Sequence, residues 1–100
     1  MKVNVQAPNF AVKKDLLVFI EKRLQKLEQF YDKIVAADVF LKVQKTSEKE
    51  NKSTEILLSV PGSNLICKKE SKTFEAALDE CVQSLERQLK KRKQKQRAFA

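Results

Sequence analysis

Apolar side chains along this chain recur at two different periods, and each period dictates a different element. Over residues 2–6, Val3 and Val5 alternate with Lys2, Asn4 and Gln6, which predicts a short strand with one buried face. Pro8 and Asn9 end it. Over residues 13–33 the period changes: Leu16, Ile20, Leu24, Leu27, Tyr31 and Ile34 recur at spacings of three and four, and Leu17 widens the stripe, so this stretch reads as a helix. Residues 37–46 alternate again, Val39, Leu41 and Val43 against Phe40, Lys42 and Gln44. The polar run SEKENKS (47–53) reads as a solvated loop. Residues 54–60, with Ile56, Leu57, Leu58 and Val60, and residues 65–70 are two more strands. Between them Pro61-Gly62-Ser63-Asn64 is a turn, in which proline presets one φ and glycine supplies a positive one. Phe74, Ala77, Leu78, Cys81, Val82, Leu85 and Leu89 then return to the helical spacing. Thr73 is the expected N-cap, and Glu75 faces the positive end of the helix dipole.

Two one-sided helices and four one-sided strands need a common place to bury their apolar faces. The order β-α-β-β-β-α supplies it as an α+β fold, a four-stranded sheet with two helices packed on one face. The first β-α-β unit is expected to be parallel and right-handed, and the next two connections to be hairpins. One hundred residues with no linker or repeat make a single domain, 1–100.

The residues that are missing narrow the function. Glycine occurs once, so neither a P-loop nor a dinucleotide-binding turn can be built. Histidine is absent, which removes imidazole acid–base chemistry, Ser-His-Asp and Cys-His sites and histidine-held metals. Cys67 and Cys81 stand alone and are read as two small buried apolar side chains, too few for a structural zinc. An enzyme would have to rest on Asp79, Glu80 or Cys67 without a supporting group. No cofactor and no metal are expected. The longest apolar run, Leu16 to Ile20, is too short for a membrane span or a signal segment, so a cytoplasmic protein is expected.

What the chain has in excess is positive charge, +8 overall, and it is unevenly placed. Residues 84–100 hold Arg87, Lys90, Lys91, Arg92, Lys93, Lys95 and Arg97 against one acid, Glu86. A few cations at a helix C-terminus answer the dipole; this many exceed it. On the first helix Lys22, Lys26 and Lys33, with Gln29 beside them, fall on one flank of the apolar stripe, and Arg23 lies at the edge of that stripe. Glu21, Glu28 and Asp32 fall on the other flank, while Asp15 interrupts the basic side. Side by side on a sheet, the two helices would present a face suited to phosphates. Phe19, Phe30, Tyr31, Phe40 and Phe74 lie on or beside core stripes, so recognition of backbone and shape in folded RNA fits better than base stacking. Phe99, in the tail, is either an exposed contact or a frayed end.

Three stretches resemble a known family. KLEQFYDKI (26–34) is similar to its helix-end motif and ADVFLKVQK (37–45) to its second-strand motif. In FEAALDECVQSLERQLKKRKQK (74–95), Ala76-Ala77-Leu78-Asp79 and then Leu85-Glu86-Arg87-Gln88-Leu89 match its last helix. On these residues the chain resembles the ribosome hibernation-promoting factors and ribosome-associated translation inhibitors, in their short form, over almost its whole length. The resemblance implies a protein that occupies the mRNA and tRNA channel of the small ribosomal subunit, blocks translation and preserves idle ribosomes in starvation or stationary phase. It further implies basic contacts to ribosomal RNA, carried here by Lys22, Arg23 and Lys26 on the first helix and by Arg87, Lys90 and Lys91 on the second. A monomer off the ribosome is expected, without the second domain by which long-form members pair two ribosomes. Two positions depart from the pattern: Lys13 stands where members often carry a threonine cap, and Glu75 where an aromatic residue often precedes Ala76. The alternative reading is a generic double-stranded RNA binding module, whose α-β-β-β-α order residues 14–97 also satisfy. Such modules usually place their lysines at the start of the last helix, whereas here the basic mass lies at its far end.

Overall fold

Six elements follow one another in the expected order: β1 (Lys2–Gln6), α1 (Lys14–Phe30), β2 (Ala36–Val43), β3 (Lys52–Val60), β4 (Ser63–Ser71) and α2 (Phe74–Ala98). The computed structural model describes residues 1–8, 10–44 and 51–98, with side chains up to residue 94. The strands lie in the order β1-β2-β3-β4. β1 runs parallel to β2, and β2, β3 and β4 pair antiparallel, so the sheet is mixed. Asn9, residues 45–50 and Phe99 lie outside the described residues, and with them most of the predicted polar loop and the tail contact.

One face of the sheet carries the core. Val39, Leu41, Ile56, Leu58 and Cys67 alternate inward, and Ile20, Leu24 and Leu27 of α1 join Leu78, Cys81, Leu85 and Leu89 of α2 against them in one buried cluster. Each fully buried leucine or isoleucine is worth about 1.5–3 kcal/mol relative to exposure. α2 lies across β3 and β4 and flanks α1. Both cysteines are free and buried, as small apolar side chains would be. The Cys81 thiol donates to the Thr54 carbonyl at 3.3 Å and the Cys67 carbonyl at 3.6 Å. Burial, with Cys67 alongside, pushes that thiol up to about 12.

The element bounds differ from the sequence reading in three places. α1 stops at Phe30, so Tyr31, Ile34 and Lys33 are not helical. Tyr31 takes an extended conformation (φ −140°, ψ 101°), and its N–H closes the last turn on the Leu27 carbonyl at 2.8 Å. Tyr31 and Ile34 are still buried, so loop residues packing on the same core prolong the helical spacing beyond the helix. Second, β2 ends at Val43 and β3 begins at Lys52, which moves Lys52 and Ser53 out of the predicted loop. Third, β4 spans Ser63–Ser71 rather than 65–70. The backbone makes the ladder, so pairing continues through Lys52↔Ser71 and Val60↔Ser63 where polar side chains give no alternating signal. Pro61 and Gly62 are thus a two-residue turn, and Gly62 takes the positive φ of 77° that the turn requires. Among the described residues no helix is long and apolar enough to cross a membrane.

Candidate nucleic-acid interface

The start of α2 sets the direction in which its far end faces. The Thr73 hydroxyl accepts the Ala76 N–H at 3.1 Å, the N-cap bond expected there. From that start, Ala77, Leu78, Cys81, Leu85 and Leu89 turn into the core. Arg87, Lys90 and Lys91 lie three and four residues apart on the opposite side and are all exposed. Helix periodicity and the burial of Leu85 and Leu89 therefore oblige these three cations to face solvent as one row.

Arg92 and Lys93 belong to the same basic run but turn inward. Arg92 follows Leu85 and Leu89 at the core spacing and is half-buried. Its Nε–H donates to the Tyr31 hydroxyl at 3.2 Å, and an Nη2–H donates to the Pro61 carbonyl. The Lys93 ammonium donates to the Phe30 carbonyl at 3.3 Å and sits 5.1 Å from the centre of the Phe30 ring. α1 has no cation in its own last turn. Lys93 of α2 supplies one to its terminal carbonyls. Among the described side chains the basic tail thus falls into two sets: an outward row, and an inward pair engaged by the fold. The continued core spacing at Arg92 was the signal that distinguishes them. The side chains of Lys95 and Arg97 lie outside the described ones.

On α1, Lys22 and Lys26 are exposed, but Arg23 is engaged. Its Nε lies 3.1 Å from Asp79 Oδ1 of α2, and its guanidinium stacks 5.0 Å from the centre of the Phe19 ring. The groove between the helices is lined by Arg23, Lys26, Leu27, Asp79, Val82 and Glu86. The continuous cationic face expected across both helices is therefore interrupted by Asp79 and Glu86. Lys33, expected on the basic flank of α1, instead lies beyond its end. There it shares a hollow with Gln29, Phe30, Asp32 and Lys93, next to a second one that Phe30 and Lys93 form with Lys90 and Gln94. Away from the helices, the outer side of the sheet balances Asp38, Glu55 and Glu70 with Lys2, Lys42 and Lys68, so the excess charge lies elsewhere, mostly on the helix side.

A β-α-β-β-β-α domain with a solvent-facing row of cations at the end of its last helix defines a small α+β protein whose exposed positive charge is gathered on the helix side. Residues 3–97 match the family described as sigma 54 modulation protein / S30EA ribosomal protein, and the chain belongs to that family. It is 33% identical to the ribosome hibernation promoting factor of Pseudomonas putida over 99 residues, which cover 99% of this chain and 93% of that protein. It is 32% identical to the factor of the same name from Escherichia coli over 95 residues, 95% of this chain and 96% of that one. Among solved structures, a ribosomal subunit interface protein from Coxiella burnetii superposes with a TM-score of 0.83 at 22% identity, covering 93% of this chain and 98% of the other. The N-terminal domain of Thermus thermophilus Protein Y gives 0.78 at 25% identity, with 91% and 98% covered.

Proposed function

We propose that this chain is a ribosome-binding translation inhibitor of the hibernation type. In this reading it occupies the mRNA and tRNA channel of the small subunit and preserves idle ribosomes under stress. The names borne by its relatives support the ribosome as partner. The observation that carries the reading is the row Arg87, Lys90 and Lys91, exposed on the face of α2 opposite its core stripe. Lys22 and Lys26 add cations from α1, and Arg23 contributes through its edge beside Asp79. These groups neutralise ribosomal RNA phosphates and release condensed counterions, so binding is strong and falls with salt. Inhibition is steric: a folded domain fills a passage that mRNA and tRNA share, and no bond is made or broken. The protein acts as a monomer in the cytoplasm, as one domain.

Cosedimentation with purified ribosomal subunits over a salt series, with an unrelated RNA duplex as competitor, tests this. Selective retention on the small subunit in the presence of competitor is expected. Equal loss to any duplex would replace the reading with a generic RNA module, and retention on the large subunit would overturn the placement.

A further inference from the structure

We infer that Arg92 is a positioning residue, which fastens the far end of α2 to two other elements so that Arg87, Lys90 and Lys91 stand as one rigid row. The inference rests on the reading of that row as the RNA contact. Among the described side chains Leu89 is the last fully buried one of α2, yet the helix runs on to Ala98. Beyond Leu89 come Lys90, Lys91, Arg92 and Lys93, four adjacent cations with no apolar anchor among them. Like charges repel along a helix face, and an unanchored helix end frays. Arg92 supplies the anchor from the position where the next core residue would fall.

The two acceptors explain why arginine stands there. One is the hydroxyl of Tyr31, a side chain buried to 4% exposure just past the end of α1. The other is the carbonyl of Pro61, in the two-residue β3–β4 turn. A planar guanidinium reaches both at once through Nε and Nη2; a lysine ammonium is a single point charge on a flexible stem and does not. The anchor therefore ties α2 to the α1 terminus and to the sheet at the same turn of helix that displays Lys90 and Lys91. Rigid display lowers the ordering cost of binding, because the cations are already in place when phosphate arrives.

Charge contact and positioning predict different salt behaviour. A residue that neutralises a phosphate lowers both the affinity and the slope of log K against log salt when removed, the slope by about 0.7–0.9. A positioning residue lowers the affinity and leaves the slope alone. The test compares wild type with Arg92→Lys, Tyr31→Phe and Lys90→Gln, titrated onto purified small subunits over a salt series. Amide hydrogen exchange of residues 86–94 is followed on the free proteins. Arg92→Lys, which keeps the charge, is expected to weaken binding on the order of 10-fold at every salt concentration, the effect of losing one hydrogen bond to a charged group. Its slope stays unchanged and exchange in the last turns of α2 speeds up. Tyr31→Phe, which changes no charge, shifts binding and exchange in the same direction by a smaller factor. Lys90→Gln lowers the slope and leaves exchange as in wild type. Wild-type binding and exchange in Arg92→Lys would overturn the inference, as would a slope lowered as much as in Lys90→Gln. If wild type itself fails to bind small subunits, the functional reading falls, while faster exchange in Arg92→Lys still supports the anchor and unchanged exchange removes it.

Discussion

Arg23 and Asp79 join the two helices across their groove, Nε to Oδ1 at 3.1 Å, with both side chains more than a third exposed. An ion pair that open to water contributes little to stability, under about 1 kcal/mol. Its larger effect is on the surface, because in the proposed reading Asp79 offsets part of the Arg23 charge offered to phosphate. Asp79→Asn is therefore expected to raise affinity for the small subunit about 2- to 5-fold at low salt and to lose that gain at high salt. Its melting temperature should stay within a few degrees of wild type. Binding assays at two salt concentrations with a thermal melt check both halves; weaker binding would show that the pair, and not the free cation, is what RNA requires.

Reversing the outward row should remove binding and leave the fold intact. Arg87, Lys90 and Lys91 are exposed on the side of α2 away from its core stripe, so the triple change to glutamate touches no buried contact. Circular dichroism of the triple variant should match wild type while cosedimentation with the small subunit disappears. A folded triple variant that still binds would remove the row from the interface.

Thr54 is fully buried, and among the described residues its hydroxyl has no hydrogen-bond partner. A buried donor left unmade costs roughly 1–3 kcal/mol. Thr54→Val keeps the β-branched shape and the backbone carbonyl that accepts the Cys81 thiol. It should stabilise the domain by about 1 kcal/mol, read as a higher urea midpoint at unchanged slope.

Burial holds the Cys81 thiol at about 12 against an ordinary value of 9.0. The unfolded chain therefore releases this proton at lower pH than the folded one does. Stability from this group is complete below about pH 9 and is lost as pH rises from there towards 12. A urea midpoint that falls between pH 8 and 10 in wild type, and falls less in Cys81→Ala, is expected. At pH 8 an alkylating reagent should modify Cys81 in the native protein far more slowly than in urea.

Lys13 occupies the N-cap of α1 with extended geometry (φ −70°, ψ 148°) and makes no side-chain capping bond. The backbone is already in the conformation a capping side chain uses. Lys13→Thr or Lys13→Asp should add about 0.5–2 kcal/mol of stability, measurable as a rise in melting temperature. The exposed position predicts little change in ribosome binding.

Much of this molecule was written in its side-chain spacing. Val39, Leu41 and Val43 announced a strand, and Leu78, Cys81, Leu85 and Leu89 a helix, because burial on one face imposes a period of two or about 3.6 on any chain that folds this way. Thr73 and Pro61-Gly62 marked a helix start and a turn through chemistry local to those residues. The basic excess at the end of the last helix was likewise legible as a run of charges, within which the resemblance singled out Arg87, Lys90 and Lys91; their exposure opposite the core stripe came with the structure.

Other assignments waited for the tertiary structure. Tyr31 and Ile34 kept the helical spacing without being helical, because burial records contact with the core and not the backbone conformation that delivers it. Arg23 looked like a free cation until α2 brought Asp79 to it. Arg92 looked like one of seven tail charges until packing placed it against Tyr31, 61 residues away in the chain. Periodicity is a property of neighbours along the chain, and so the sequence alone determined the elements and the charge they carry. Which of those charges remain open to a phosphate depends on distances between residues far apart in sequence, and only the packing of α1, α2 and the β3–β4 turn decided them.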